Sequence, residues 1–246
     1  MRCMYADPKK TADIVPGDYV SNAVLACAWD IHNIWKDNTF NDIVKVDSLD
    51  KETFVPPIYN FVSSSTNPLT WGEFSMLNKK YGYEVPSVKA ISPILLRLSK
   101  HKFEYQILCF IFHIISGFII DSLAKLTGRK PLLMEGYRKM HKFADVIYYF
   151  SLKPWTFNDN NTRYLIQKVS KLDQTLFRFD LTKLSWDEYF KKHVLGIRKY
   201  ILKDPLETIP EGKKKNQKLY IAYYTLLSIL AATLLLIVYK IFSLFV

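Results

Sequence analysis

Residues 219–239 read LYIAYYTLLSILAATLLLIVY, 21 residues without a charge. At about 1.5 Å per residue a helix of that length spans roughly 30 Å, the thickness of a bilayer's hydrocarbon core. The stretch from Leu219 to Tyr239 is therefore read as a membrane-spanning anchor; a buried core helix is the competing reading, but core helices rarely stay uncharged for so long. Thr225, Ser228 and Thr233 can return their hydroxyls to the carbonyl four residues earlier. Tyr220, Tyr223, Tyr224 and Tyr239 sit near its ends, where an amphipathic ring prefers the headgroup level. Lys213, Lys214, Lys215 and Lys218 precede it and only Lys240 follows, which places the N-terminal side in the cytosol. The chain reads as a cytosolic body on a C-terminal anchor.

The remainder has material for a core: 49% of the 246 residues are hydrophobic and 15% aromatic. The net charge of +11 suits an anionic membrane surface or an anionic substrate. The basic residues are scattered and match no nucleic-acid motif, so no nucleic-acid partner is expected. Cys3, Cys27 and Cys109 are odd in number and far apart, the pattern of a reducing compartment without a disulfide framework. Residues 1–20 hold no apolar signal-peptide core.

Residues 12–15, ADIV, lead into Pro16-Gly17 as a short strand and turn, and Asp18 is placed as the N-cap of a helix over Tyr19 to about Trp29. Val20, Ala23, Val24 and Cys27 give that helix a stripe at helical spacing. Ile58–Val62 reads as a second strand, and Thr70-Trp-Gly-Glu73 as a capping box opening a helix over Trp71–Lys80. This order is the grammar of an α/β sheet, too short here to close one. Beyond Pro93 strand signals fade. Phe103–Leu126 is a long helical candidate stopped by Gly128, with the apolar centre ILCFIFHIISGFII at 107–120. Fourteen residues make about 21 Å, short of a span. Either this helix is buried or lies on the membrane, or it is a second span. A second span would carry a basic region across, so the single-span reading is preferred. Further helices are expected over Leu132–Phe150, Asn161–Ser170 and Trp186–Leu202, the last opened by Ser185-Trp-Asp-Glu188. Pro205, Pro210 and Glu211-Gly212 mark a linker into the anchor.

No catalytic centre emerges from the motifs. There is no GxGxxG loop, no GxSxG elbow, and His32, His101, His113, His141 and His193 include no HExxH or pair at i, i+4, which argues against zinc. His113, inside the apolar helix centre, reads as a core or interfacial histidine. Tyr-x-x-x-Lys occurs at Tyr5/Lys9 and Tyr149/Lys153, but Pro8 breaks the first and the second runs into Pro154. Asn160-Asn-Thr162 spells a sequon that stays bare in the cytosol.

Four runs resemble the distal part of the alcohol-forming fatty acyl-CoA reductases, the male-sterility protein family. They are ADIVPGDYVSNAVLACAWDI at 12–31, IYNFVSSSTNPLTWGEF at 58–74, the run from Ile119 to Leu165, and FRFDLTKLSWDEYFKKHVLGIRKYILKD at 177–204. The last two are the specific ones. The resemblance implies an NADPH-binding Rossmann domain that reduces a long-chain fatty acyl-CoA through the aldehyde to the primary alcohol, followed by a helical domain. It departs at Gly17, where the family often has valine, and near Pro93, which lacks an aromatic-rich WYP pattern. The family's glycine-rich loop and Tyr/Lys dyad belong upstream of Met1, so the chain is read as a C-terminal fragment, inactive alone.

The expected fold is thus a mixed α/β remnant of an extended short-chain-dehydrogenase Rossmann domain (1–85), a helical domain (86–210), a basic linker (211–218) and the anchor (219–239). No catalytic, cofactor-binding or metal residue is assigned. Phe110, His113 and Phe118 are the candidate acyl-chain contacts, on a helix that would guide the chain between bilayer and active site. Expected partners are long-chain fatty acyl-CoA and membrane lipid, with a homo-oligomer or an intact reductase pairing at open strand edges. The alternative is a catalytically dead membrane protein that binds acyl chains or pairs with an intact reductase. The sparse charge after the anchor favours the endoplasmic reticulum over the peroxisome.

Overall fold

A computed structural model describes residues 2–43 and 57–243. Its described residues are mostly helical and divide into two compact units. The first comprises Met1–Ala6, Gly72–Val146 and Trp186–Val246, the second Asp7–Trp71 and Ile147–Ser185.

In the first unit, β1 (Cys3–Tyr5) pairs in parallel with β2 (Arg97–Ser99), Cys3 opposite Arg97 and Tyr5 opposite Ser99. The backbone N–H of Ala6 then donates to the Ser99 carbonyl at 3.0 Å. Around this pair stand α2 (Trp71–Glu84), α3 (Lys102–Leu126), α4 (Leu133–Leu152, which continues into the second unit), α7 (Trp186–Gly196) and α8 (Ile209–Phe242). Helix α2 begins directly after Thr70. Helix α3 contains a π-helical turn at Phe110–Ile115 and ends where Gly128 adopts φ +70°, a conformation open to glycine at little steric cost. The long aromatic face of α7 packs Phe190, fully buried, edge-on against Phe74 of α2 at 5.4 Å between ring centres.

A buried arginine closes this unit. Arg198, in a π-helical turn at Ile197–Ile201 that extends α7, donates to the carbonyls of Val85 (3.3 Å), Pro86 and Pro205 (2.9 Å) and to the Thr208 hydroxyl (2.6 Å). Asp204, equally buried, accepts from the Ser87 hydroxyl (2.7 Å) and the Val88 N–H (3.0 Å). Between them they satisfy loop backbone that has no ladder of its own.

The second unit holds α1 (Gly17–Ile43), α5 (Asn160–Lys168) and α6 (Lys171–Leu176). Ala23 and Ala26 of α1, both small, let Leu165 and Phe179 close against it in a buried cluster. Three turns in, Asp30 accepts from the Tyr59 hydroxyl (2.6 Å) and the Lys168 ammonium (2.8 Å). Burial, and then the adjoining Asp30 carboxylate, push the Tyr59 phenol up.

Several expectations are corrected here. Residues 12–15 and 58–62 form no strands. Ile14 turns its N–H back onto the Ala12 carbonyl (2.8 Å), and Pro16 has no N–H to offer. Along 58–62 the carbonyls of Ile58 and Asn60 are taken by side chains of α5, Asn161 and Thr162, in place of a neighbouring strand. The α/β grammar therefore reduces, among the described residues, to the β1–β2 pair, neither strand of which was expected. The stripe on α1 is rotated: Val20 and Val24 are exposed, while Ala23, Ala26 and Asp30 face inward. Asp18 is not the cap but the second residue of α1, where its charge meets the helix dipole.

The helix carrying the expected anchor begins at Ile209, so residues 211–218 are helical. Pro210 falls in its first turn, where a missing N–H costs nothing. Gly212 lies so close to the Pro86 carbonyl oxygen that a Cβ there would overlap it. The helix that is long and apolar enough to cross a membrane, among the described residues searched for it, is α3, mid-chain; its 25 residues span about 37 Å. Only 17% of its most apolar window is buried, so it is not a core helix.

Candidate functional site

Helix α3 presents two unlike faces. Cys109, His113, Gly117 and Asp121, each four residues from the last, are all buried. Asp121 accepts from the backbone N–H groups of Leu132 (3.1 Å), Leu133 (3.0 Å) and Met134 (2.9 Å), capping α4 from outside it. At Gly117 a Cβ would stand 2.8 Å from the Met134 sulfur and 3.1 Å from the Tyr137 ring, so glycine is what lets α3 and α4 touch. The opposite face, from Phe103 through Phe110, Ile114, Phe118 and Leu123 to Leu126, is apolar and exposed.

The buried stripe meets β1 in a compact cluster. Cys3 Sγ lies 3.4 Å from Cys109 Sγ and 3.6 Å from His113 Nε2. The Arg2 backbone N–H donates to that same Nε2 at 3.2 Å. His113 Nδ1 is 3.2 Å from His141 Nε2, and His141 Nδ1 is 3.4 Å from the Tyr105 hydroxyl. One proton arrangement satisfies the chain: His113 Nδ1–H donates to His141, and His141 Nδ1–H to Tyr105. Tyr137 stacks on the His113 ring at 4.6 Å. Burial and the neighbouring Cys109 thiol push the Cys3 thiol well up, and all three cysteines are free thiols.

Just outside the cluster, Tyr105, Cys109 and His141 together with Ile107, Phe110 and Ile114 line a groove of about 740 Å³. The second unit has its own apolar cavity of about 400 Å³, bounded by Leu25, Trp29, Val169 and Phe177, with Lys168 on its wall.

The three expected acyl contacts are thus divided. Phe110 and Phe118 are 55% and 67% exposed on the outer face, and Phe110 lines the groove. His113 is 2% exposed and turned inward to the thiols. Sequence reasoning missed Cys3, Cys109, His141, Arg198 and Asp204. The i, i+4 spacing of Cys109 and His113 was a usable signal; that Cys3 would join them, across more than a hundred residues, was not.

The family model described as "Male sterility protein" matches residues 112–204. The chain is 33% identical over 245 residues to Fatty acyl-CoA reductase wat of Drosophila melanogaster, covering 100% of this chain and 44% of that protein. It is 26% identical to Fatty acyl-CoA reductase 1 of Xenopus laevis (89% of this chain, 39% of the relative) and 27% identical to human Fatty acyl-CoA reductase 2 (91% and 40%). The chain is therefore similar along its whole length to part of the fatty acyl-CoA reductases, and residues 112–204 match the male-sterility family.

It spans less than half the length of the curated reductases it matches. The male-sterility segment contains most of the inward stripe of α3, from His113 on, and ends at Asp204, taking in the Arg198 and Asp204 lock. In this chain, β2 passes to Lys100 and His101 with no glycine to let backbone approach a pyrophosphate. The described residues do not fit a dinucleotide, and none is assigned to one.

Proposed function

We infer that this segment works within a membrane-held reductase that takes a long-chain fatty acyl-CoA to the fatty alcohol with NADPH, and that it contributes membrane attachment and handling of the acyl chain. The observation carrying this reading is the outer face of α3. Exposing so many Phe, Ile and Leu side chains to water between Ile107 and Leu123 is costly, whereas lipid accepts them. Its inward stripe ties it to α4 and β1, so this face is held rigidly at the surface.

Helix α8 shares the arrangement. Tyr220 donates to the Ile94 carbonyl (2.8 Å), and Tyr223 approaches Phe112 of α3 with ring centres 6.5 Å apart. Beyond that contact Leu226, Ile229, Leu235 and Leu236 are exposed, as a bilayer anchor over Leu219–Tyr239 requires. Lys213, Lys214 and Lys218 stand exposed before it, where anionic headgroups or the phosphates of CoA are attracted. The groove beside Phe110 receives the acyl chain from lipid, and Phe118 extends the same apolar path. NADPH binding and hydride transfer belong to the whole reductase and are assigned to no residue here. The endoplasmic reticulum is the proposed membrane.

The test is photolabelling of the chain in phospholipid nanodiscs with a long-chain acyl-CoA bearing a diazirine on its tail. Labels on Phe110, Ile111 and Ile114, competed by unmodified palmitoyl-CoA, are expected. Labels confined to Trp29 and Phe177 would move the acyl site to the cavity of the second unit, and no competed label would remove the acyl-handling role. In a full-length reductase carrying this segment, Ile111→Asp with Ile114→Asp is expected to alter chain-length preference.

A further inference from the structure

We propose that Cys3, Cys109 and His113 form a binding site for a thiophilic divalent metal, zinc foremost. Their ligand atoms all lie within 4.8 Å of one another, and all three residues are buried. Around a tetrahedral zinc, two thiolates at about 2.3 Å stand roughly 3.7 Å apart, and a thiolate and an imidazole nitrogen roughly 3.5 Å. The cluster shows 3.4 Å and 3.6 Å for those two edges. Those two edges need shifts of only a few tenths of an ångström, and the Cys109–His113 edge, within 4.8 Å, would close toward roughly 3.5 Å as the ion enters.

The donors match the metal. Two sulfurs and one imidazole nitrogen select zinc or another soft ion over magnesium or calcium, which prefer oxygen. His113 is equipped as a ligand: its Nδ1 faces His141 Nε2 at 3.2 Å, the outer partner that fixes a ligating imidazole's tautomer. Nε2 then faces Cys3. In the loaded state the ion takes the Nε2 lone pair that the Arg2 N–H uses in the metal-free cluster. Both thiols lose their protons to solvent as two metal–sulfur bonds form, and water fills the fourth position. The ion ties β1 to α3, two elements otherwise joined by side-chain packing.

The same two sulfurs are close enough to form a disulfide on oxidation, which makes that the competing outcome. The experiment is cobalt(II) titration of the whole chain, reduced and metal-free, in nanodiscs, followed by zinc displacement. One cobalt per chain is expected, with a thiolate charge-transfer band in the near-ultraviolet and intense visible bands of a tetrahedral ion. Zinc should bleach both. X-ray absorption of the zinc form is expected to show two sulfur scatterers at about 2.3 Å and nitrogen or oxygen at about 2.0–2.1 Å. Cys109→Ser and His113→Ala should each weaken cobalt affinity at least tenfold, whereas Cys27→Ser, outside the cluster, should leave it unchanged. The wild-type spectrum needs no variant to fold. Absence of a thiolate band in the wild-type chain overturns the proposal, as does undiminished cobalt affinity in Cys109→Ser or a Cys3–Cys109 disulfide under conditions where zinc is offered.

Discussion

Arg198 and Asp204 approach to 3.5 Å with both side chains only 1% exposed; Arg198 gives most of its hydrogen bonds to loop carbonyls, and Asp204 accepts from the Val88 N–H and the hydroxyls of Ser87 and Thr208. Removing the cation leaves Asp204 without its countercharge and takes the Arg198 donor from the Pro86 carbonyl. Arg198→Leu is expected to lower stability by about 3–5 kcal/mol, the cost of breaking a buried pair from one side. Arg198→Lys should recover little, since a single ammonium cannot replace the planar fork. Thermal unfolding of the solubilised chain measures both.

Asp159 provides the acid-sensitive contact of the second unit. It accepts two bonds from Arg163 Nε (3.0 Å), one from its Nη2 (2.8 Å) and one from the Ser65 hydroxyl (2.6 Å). Arg163 above all, helped by Ser65, holds the carboxyl below its usual range. A depressed folded value stabilises the native state above the unfolded carboxylate value of about 3.9, and that contribution fades as pH falls through the lower native value. Denaturant midpoints of the wild type are expected to drop as pH falls below about 4. Asp159→Asn should start lower and show a shallower decline; parallel curves would refute the assignment.

Gly117→Ala should be disproportionately costly for a glycine inside a helix. The intrinsic helix preference favours alanine by about 1 kcal/mol, so a neutral site would gain stability. Here the methyl meets the Met134 sulfur and the Tyr137 ring, and overpacking is expected to win by about 1–3 kcal/mol. Loss of protection against hydrogen exchange in α4 would localise the damage.

Lys203 offers the opposite prospect. It holds φ +49°, the left-handed region that disfavours a side chain, while its carbonyl and that of Leu202 accept from the Lys89 ammonium. Lys203→Gly is expected to raise the melting temperature, by the equivalent of about 1 kcal/mol, because relief of strain outweighs the added freedom of the unfolded chain. An unchanged or lower melting temperature would show that the left-handed turn is not the controlling feature.

Helices were legible wherever a cap or an apolar run marked them. Thr70 before α2, Gly128 after α3 and the uncharged run within α8 were each readable from adjacent residues. The sheet was not, because β1 and β2 contribute three residues each and lie more than ninety positions apart. The false strands at 12–15 and 58–62 carry the right residue types. The first was undone by the Ile14 N–H folding back onto the Ala12 carbonyl, the second by α5 side chains that occupy backbone groups a strand would have used, information that no local window holds. The inward role of His113 was hidden for a similar reason: surrounded in sequence by isoleucine and phenylalanine, it is defined by Cys3, Arg2 and His141.

The π turn at Phe110–Ile115 sets the rotational phase of α3. In a plain α-helix each four-residue step overruns a full turn by about 40°, so Cys109 and Asp121 would drift about 120° apart around the axis. A wider turn takes back part of that drift and keeps thiol, imidazole, glycine and carboxylate on one side. One residue fewer between Cys109 and Gly117 would act like a slipped cog, turning Gly117 and Asp121 off the packed side and bringing Phe118 toward Met134 and Tyr137.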